Sequence, residues 1–562
     1  MSWGLMPAAR RPQSTAKHQK AAGDNHKCAA PGKQKPNNST GHFPFPSPEK
    51  ERFKECCGLN APASPGERRR KAFQLRMEAA LFQKNLPLGG QSVNQDELTY
   101  PSKIGNFSKA LPHNQLGQVD LCAYQDYLEA LFSGNPDSFE AIPLGGNTKL
   151  ANPQAAYAYE MVGADAHHLL LPAAPSFASA WQAGEMVELY WQALAKDVPF
   201  AHYTTNQLIG EAAAELSALS DFRGPKVNKA VTPETLFRYD LPGALEGPYI
   251  SQFLYKSIPF GSTTVPQLYQ APTFQQAFLT DYAEWLNVQN GKPFTGKITY
   301  TDTPVYLRNG RDLSAYVHKD FSFQAALTAG LILLALGPEA LSVTNPYLAS
   351  TTQTGFATFG APHILDFVVR AARAALTAAW FQKWLVHRRA RPEEFGGAIH
   401  SKLTGAADYP IADEVLNSKA LAQVFGKYGS YLLPQGYPEG SPAHPAYPSG
   451  HAAMIGAGAT MLKAFFKESY ILPDPVMAST DGCSLVPYSG GDLTIGGELN
   501  KLAANIVMGH NFAGIHWRSD NTAGLQLGEA IAISILQDYR YTYHEKGFGF
   551  SFTKLDGTPL TI

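Results

Sequence analysis

The sequence predicts a mainly α-helical protein. Three observations carry that prediction. Apolar residues recur at helical spacing in segment after segment, and strand-like runs are short and confined to one stretch. The composition is also apolar enough to bury the faces so produced. Of 562 residues, 44% are hydrophobic and 17% are Asp, Glu, Lys or Arg, against roughly 25% charged residues in an average soluble domain.

Taken in order, residues 1–70 stand apart as a basic tail. Positions 1–71 hold 14 Lys or Arg against 5 Asp or Glu, a net of +9, with many Pro, Asn and Ser and no apolar period. Such a composition cannot bury a core, so a solvated extension is expected, with a basic transit-type segment as the alternative. Residues 71–562 read as a single globular, helical unit. Its first helix is Lys71–Asn85, where Phe73, Leu75, Met77, Ala80 and Leu81 share a spacing. Amphipathic helices follow at Ala174–Lys196, Asn206–Leu219 and Thr273–Val288.

A small β element is then expected. Lys297–Tyr300, Val305–Leu307 and Leu313–Val317 are strand-like, and Asn309-Gly310 reads as the turn between the last two. Helices resume at Phe321–Leu336, from about Pro362 to Ala390, after Pro448, and from about Asn521 to Tyr539.

Several classes of function are excluded by the same numbers. The chain has 46 basic and 47 acidic residues, a formal charge of −1, so no global field selects nucleic acid. The longest apolar run, Ala325–Gly337, falls short of the ~20 residues that span a bilayer. Cys28, Cys56, Cys57, Cys122 and Cys483 show neither a disulfide framework nor zinc-site spacing. The N-terminus lacks the apolar region of a secretory signal, which favours the cytoplasm.

Candidate chemistry lies in three clusters. In the first, Lys383 precedes Arg391-Pro392 at the end of the long helix, with Arg370, Arg373, Arg388 and Arg389 nearby. A helix C-terminus by itself favours cations, and Pro392 would simply stop the helix. The second is Pro448-Ser449-Gly450-His451 before a run of small residues. Ser449 is a good N-cap, Gly450 leaves backbone N–H groups open, and His451 in the first turn is placed to exchange a proton. His444, seven residues earlier across Pro445, can approach the same pocket. The third runs from Met508 to Asp520. His516 and Asp520 stand four apart, the spacing that lets a carboxylate fix the tautomer of a nucleophilic or ligating imidazole. Asp520 could equally be the N-cap of the following helix. Together the clusters describe a site for a tetrahedral oxyanion bound through His516, either phosphate or vanadate.

The order Lys-x7-Arg-Pro, Pro-Ser-Gly-His and Gly-x-His-x3-Asp resembles the vanadium-dependent haloperoxidases, within the superfamily they share with acid phosphatases. It is met here at Lys383…Arg391-Pro392, Pro448–His451 and Gly514-x-His516-x3-Asp520. Family-like stretches outside the site include Lys103–Phe107 with Leu111–Asn114, and Ser220–Pro225, so the resemblance spans about residues 69–562. It implies two four-helix bundles with small β-hairpins, a homo-oligomer, and vanadate as cofactor. His516 would coordinate vanadium, while Lys383, Arg391, Ser449 and Gly450 would hold its oxygens. His451 would serve the axial oxygen, and Trp380 would line a halide pocket.

His444 stands where the algal bromoperoxidases carry a histidine, which points to bromide, with iodide and chloride as further halides. The implied activity is oxidation of halide by hydrogen peroxide to a hypohalous acid equivalent that halogenates small organic substrates. One departure stands out: His510 occupies the position, six before the ligand histidine, where the family normally has arginine. It is expected to keep contact with the anion but to hold it less tightly. A phosphomonoesterase and an inactive oxyanion-binding homologue are the alternatives.

Overall fold

The computed structural model describes residues 64–562, and most of the expected basic tail lies outside them. The chain divides into two units, Met1–Ala79 and Ala80–Ile562. In the first, the described residues belong to the start of helix Pro65–Lys84, which begins six residues before the expected Lys71. The rest of the account concerns the second unit.

Helices dominate, and six short strands pair into three antiparallel hairpins: Ile258–Phe260 with Thr263–Val265, Val476–Ala478 with Leu485–Pro487, and Ser551–Thr553 with Pro559–Thr561. Among the described residues no helix is long and apolar enough to cross a membrane. One group of helices gathers around Ala180–Ala195, a helix buried on nearly every side, with Gln207–Ala218 and Lys419–Tyr428 against it. The other packs Gly450–Phe465 against Ala361–Phe381, Ile495–Phe512 and Arg518–Tyr539.

Close approach in this second group is a matter of glycine. A Cβ on Gly528 would lie 2.0 Å from Ala453 O, and one on Gly524 would lie 2.6 Å from Ala452 Cβ and from Ser449 O. Two helices therefore meet backbone to backbone, and Ser449 N donates to Asp520 O at 2.9 Å. This contact brings the second and third sequence clusters together.

The β element expected at 297–317 is not there. Leu313–Val317 lies in helix Gly310–Lys319, and Asn309 is its N-cap, with Oδ1 accepting from Asp312 N at 2.9 Å. Asn-Gly is therefore a helix start, and Leu313, Tyr316 and Val317 form its buried face. Tyr300 and Val305 make only isolated bridges, to Pro272 and Tyr269. The helix expected at Thr273–Val288 is shorter, Tyr282–Gln289, because Thr273 and Gln276 are tied to Thr299. Pro392 does not merely stop a helix; it opens Pro392–Leu403 from the N1 position, where its missing N–H is harmless. Cys483 is free and exposed.

Candidate active site

The long helix ends in a π-helical turn, Gln382–His387, closed by Arg388 N donating to Lys383 O at 3.0 Å. Lys383 is fully buried there, and its Nζ donates to Pro445 O and Ala446 O, each at 2.8 Å. Arg388 then adopts a left-handed conformation (φ 41°) and turns the chain toward Arg391. Arg391 is also fully buried. Its Nε donates to His444 O at 3.0 Å, Nη1 to Ile515 O at 2.8 Å, and Nη2 meets His444 Nδ1 at 2.8 Å. Nη1 also lies 2.9 Å from His516 Nε2.

The loop carrying His444 to Ala446 is anchored from below. Lys109, between the family-like stretches Lys103–Phe107 and Leu111–Asn114, pairs with Glu393 at 2.8 Å and donates to Glu439 O and Ser441 O.

His516 Nδ1 lies 2.8 Å from Asp520 Oδ2. An ionised carboxylate only accepts, so Nδ1 carries the hydrogen and Nε2 presents its lone pair to Arg391 and the site. Asp520 is not an N-cap. Trp517 precedes the helix, and Asp520, three residues on, accepts Trp517 N at 3.0 Å. Its other oxygen accepts from Arg389 Nη1 at 2.8 Å. Arg389 also reaches Ser519, Gln182 and Glu185.

Ser449 caps Gly450–Phe465, its Oγ accepting from Ala452 N at 3.3 Å. Gly450 is the first helical residue, so its N–H has no acceptor within the helix. It sits under the long helix, where an added Cβ would be 3.2 Å from Trp380 and Leu376. The Trp380 ring packs on His444 at 4.9 Å, and its Nε1 donates to Ala151 O. His451, with a side chain 27% exposed, faces Asp320, and its ring lies 4.3 Å from that of His510. His510 in turn lies 5.8 Å from His516. A row of three imidazoles thus runs between Asp320 and Asp520.

All ten predicted site residues converge: Trp380, Lys383, Arg391, His444, Ser449, Gly450, His451, His510, His516 and Asp520. The neighbouring arginines do not. Arg370 pairs with Asp366, Arg373 with Glu160, and Arg388 with Glu97. Two residues with site contacts were missed as members of the site, Asp320 and Arg389.

The electrostatics call for an anion. Lys383 and Arg391 are buried, and among the described residues neither forms an ion pair with a carboxylate; their partners are carbonyls and imidazoles. Burial and the neighbouring Arg391 hold Lys383 well below its usual range, and burial draws Arg391 down to about 10. Burial, reinforced by Arg391 and Lys383, keeps His516 and His444 neutral. Two buried cations with no carboxylate paired to them directly, a lone-pair nitrogen, a serine and a helix N-terminus make a donor set suited to a tetrahedral oxyanion.

The comparisons with known proteins agree with this geometry. The family described as VCPO second helical-bundle domain matches residues 364–545, the span that holds every predicted site residue. A vanadium-dependent bromoperoxidase of Ascophyllum nodosum is 36% identical over 529 residues, covering 89% of this chain and 93% of that protein. One from Corallina pilulifera is 32% identical over 600 residues, 90% of this chain and all of its own length. Among solved structures, the homohexameric second vanadate-dependent bromoperoxidase of A. nodosum superposes with a TM-score of 0.83 at 30% identity. It covers 89% of this chain and 91% of the matched one. The chain belongs to the vanadium haloperoxidase family.

Proposed function

We propose that this protein is a vanadate-dependent peroxidase that uses hydrogen peroxide to oxidise bromide, yielding a hypobromous acid equivalent for halogenation of small organic molecules, and that it works as a homo-oligomer. The observation that carries the reading is the pair of buried cations, Lys383 and Arg391, with no carboxylate bonded to either side chain among the described residues, beside an imidazole oriented by Asp520. Relatives along nearly the whole chain, named vanadium-dependent bromoperoxidases, support the cofactor and the halide. The homohexameric relative supports the assembly.

In this reading, His516 Nε2 would ligate vanadium, and Lys383, Arg391, Ser449 and the Gly450 N–H would hold the oxygens of bound vanadate. Bound vanadate supplies a Lewis-acidic centre that activates peroxide toward halide. The chain does the rest. Asp520 keeps the proton on His516 Nδ1, so that Nε2 has a lone pair to offer. Lys383, fixed by two carbonyls, places a cation against the developing negative charge. His451, open to solvent on one side, accepts and returns the proton that peroxide gives up. Trp380 and His444 form an aromatic wall beside the two cations, suited to a large, weakly hydrated halide.

The test uses EDTA-stripped protein. Bromination of a phenol dye is followed with and without orthovanadate, and p-nitrophenyl phosphate hydrolysis is measured alongside. Vanadate-dependent bromination is the expected result. Hydrolysis without bromination would move the assignment to a phosphomonoesterase with His516 as nucleophile, and neither activity in folded protein would mean that the change to His510 has disabled the site.

A further inference from the structure

His510 lies in the last turn of helix Ile495–Phe512 and is 2% exposed, with the His451 ring at 4.3 Å and the His516 ring at 5.8 Å. Its Nδ1 lies 3.1 Å from Ile506 O, one turn back along the same helix. A carbonyl oxygen only accepts, so Nδ1 carries the ring hydrogen. The charged and titratable groups that bear on the ring are His451, His516 and Arg391, and among the described residues no carboxylate is hydrogen-bonded to it. With no acid to hold a second proton, the ring is neutral and Nε2 keeps a lone pair.

The four groups expected around the anion's oxygens are all donors. Lys383 and Arg391 offer only N–H, and the Gly450 N–H has no acceptor within its helix. Ser449 Oγ already accepts from Ala452 N, which leaves its own hydrogen to give. His510 differs in offering the oxygens an acceptor. A lone pair in that place suits an oxygen that bears hydrogen and repels one that does not.

We infer that His510 is a specificity-determining residue: the lone pair on Nε2 makes the site prefer oxyanions that keep an O–H, with that O–H donating to the ring, over fully ionised ones. Phosphate and orthovanadate keep at least one O–H near neutral pH, and sulfate keeps none. A sulfate oxygen beside Nε2 would set one buried acceptor against another, and neither would be satisfied. Charge alone ranks the ions the other way, because the buried Lys383 and Arg391 attract a dianion more strongly than a monoanion. The inference rests on the oxyanion site of the proposed function and not on its peroxide chemistry.

The experiment uses full-length, EDTA-stripped protein, dialysed to equilibrium against labelled inorganic phosphate or inorganic sulfate at one neutral pH and one ionic strength. Both ions are tetrahedral and similar in size. Wild type should bind phosphate at least about tenfold more tightly than sulfate, as a site built to pair with a hydroxyl rejects an analogue lacking it. His510→Arg puts donors in place of the acceptor, so sulfate should gain more than phosphate and the ratio should fall to about one. His510→Leu removes the lone pair without adding charge. There phosphate affinity should fall severalfold while sulfate affinity holds. A ring that only supports the fold would move both ions together.

Equal affinities in wild type overturn the inference, as does a wild type that binds neither ion. So does a phosphate-to-sulfate ratio that both variants leave unchanged. If His510→Arg does not fold, His510→Leu decides. A wild type that prefers phosphate to sulfate yet never brominates with orthovanadate refutes the functional reading and leaves the role of His510 standing.

Discussion

His510 shows how much rests on one side chain. Its Nδ1 is committed to Ile506 O at 3.1 Å, so Nε2 is the nitrogen left for the site. Burial, with His451 and His516 close by, pushes the ring well below its usual range, so it is neutral. An arginine there would bring a permanent charge and a forked donor. A charge-assisted hydrogen bond contributes roughly 1.5–3 kcal/mol, so His510→Arg should tighten orthovanadate binding about 10- to 100-fold; an unchanged Kd would refute this. Lys196 makes a second prediction at this scale. It is buried, Nζ has no hydrogen-bond partner, and burial together with Arg311 lowers it to about 7. Between that value and its usual 10.5 the unfolded chain holds a proton that the folded one has released, so stability rises with pH across this window. Lys196→Met should therefore be more stable than wild type near pH 6, by an amount that shrinks toward pH 10. Denaturant titrations that find a constant gap would exclude it.

At the level of elements, the site depends on two helices meeting without side chains between them. Gly528→Ala would drive a methyl into Ala453 O, and the helices must part or bend. A loss of about 1–3 kcal/mol is expected from overpacking, and with it a weaker orthovanadate affinity, since Ser449 and Asp520 sit at the end of the same contact. Chemical denaturation and equilibrium dialysis on one preparation would check both; full stability would show that the contact can relax.

What was legible in the sequence follows from the same geometry. Lys383, Arg391, Ser449, His451, His516 and Asp520 are readable because each cluster is local and the residue types are chemically unusual together. Asp320 and Arg389 are not, because each meets its site partner across 131 residues. Helix Ile495–Phe512 escaped notice because it is buried almost all round, so its polar residues, among them Asn500, Lys501 and Asn505, erase the amphipathic period. Helix Gly310–Lys319 was misread as strand because Asn-Gly serves hairpins and helix starts alike.

Across the whole molecule, the sequence predicts an apolar, charge-poor chain dominated by helices, and the structure has that character. Large apolar side chains such as Phe132, Phe260, Phe274 and Leu98 remain exposed on the single chain, as in a subunit that has neighbours to cover it. Light scattering on the purified protein should give a multiple of 60.9 kDa. A mass of one chain at micromolar concentration would refute the proposed homo-oligomer.

The π-helical turn at Gln382–His387 can be regarded as a one-residue insertion in the last turn of the long helix. Each residue of an α-helix advances the chain by about 100° around the axis. The wide turn therefore resets the phase between Lys383 and the segment that delivers Arg391. Removing Leu385 would let the helix run on at regular pitch, and the spliced protein should gain order in that helix while losing orthovanadate affinity. Calorimetry would read both in opposite directions. On this view the two cations reach one site because of a phase error at the end of a helix, and shortening the gap between them would separate the charges rather than bring them closer.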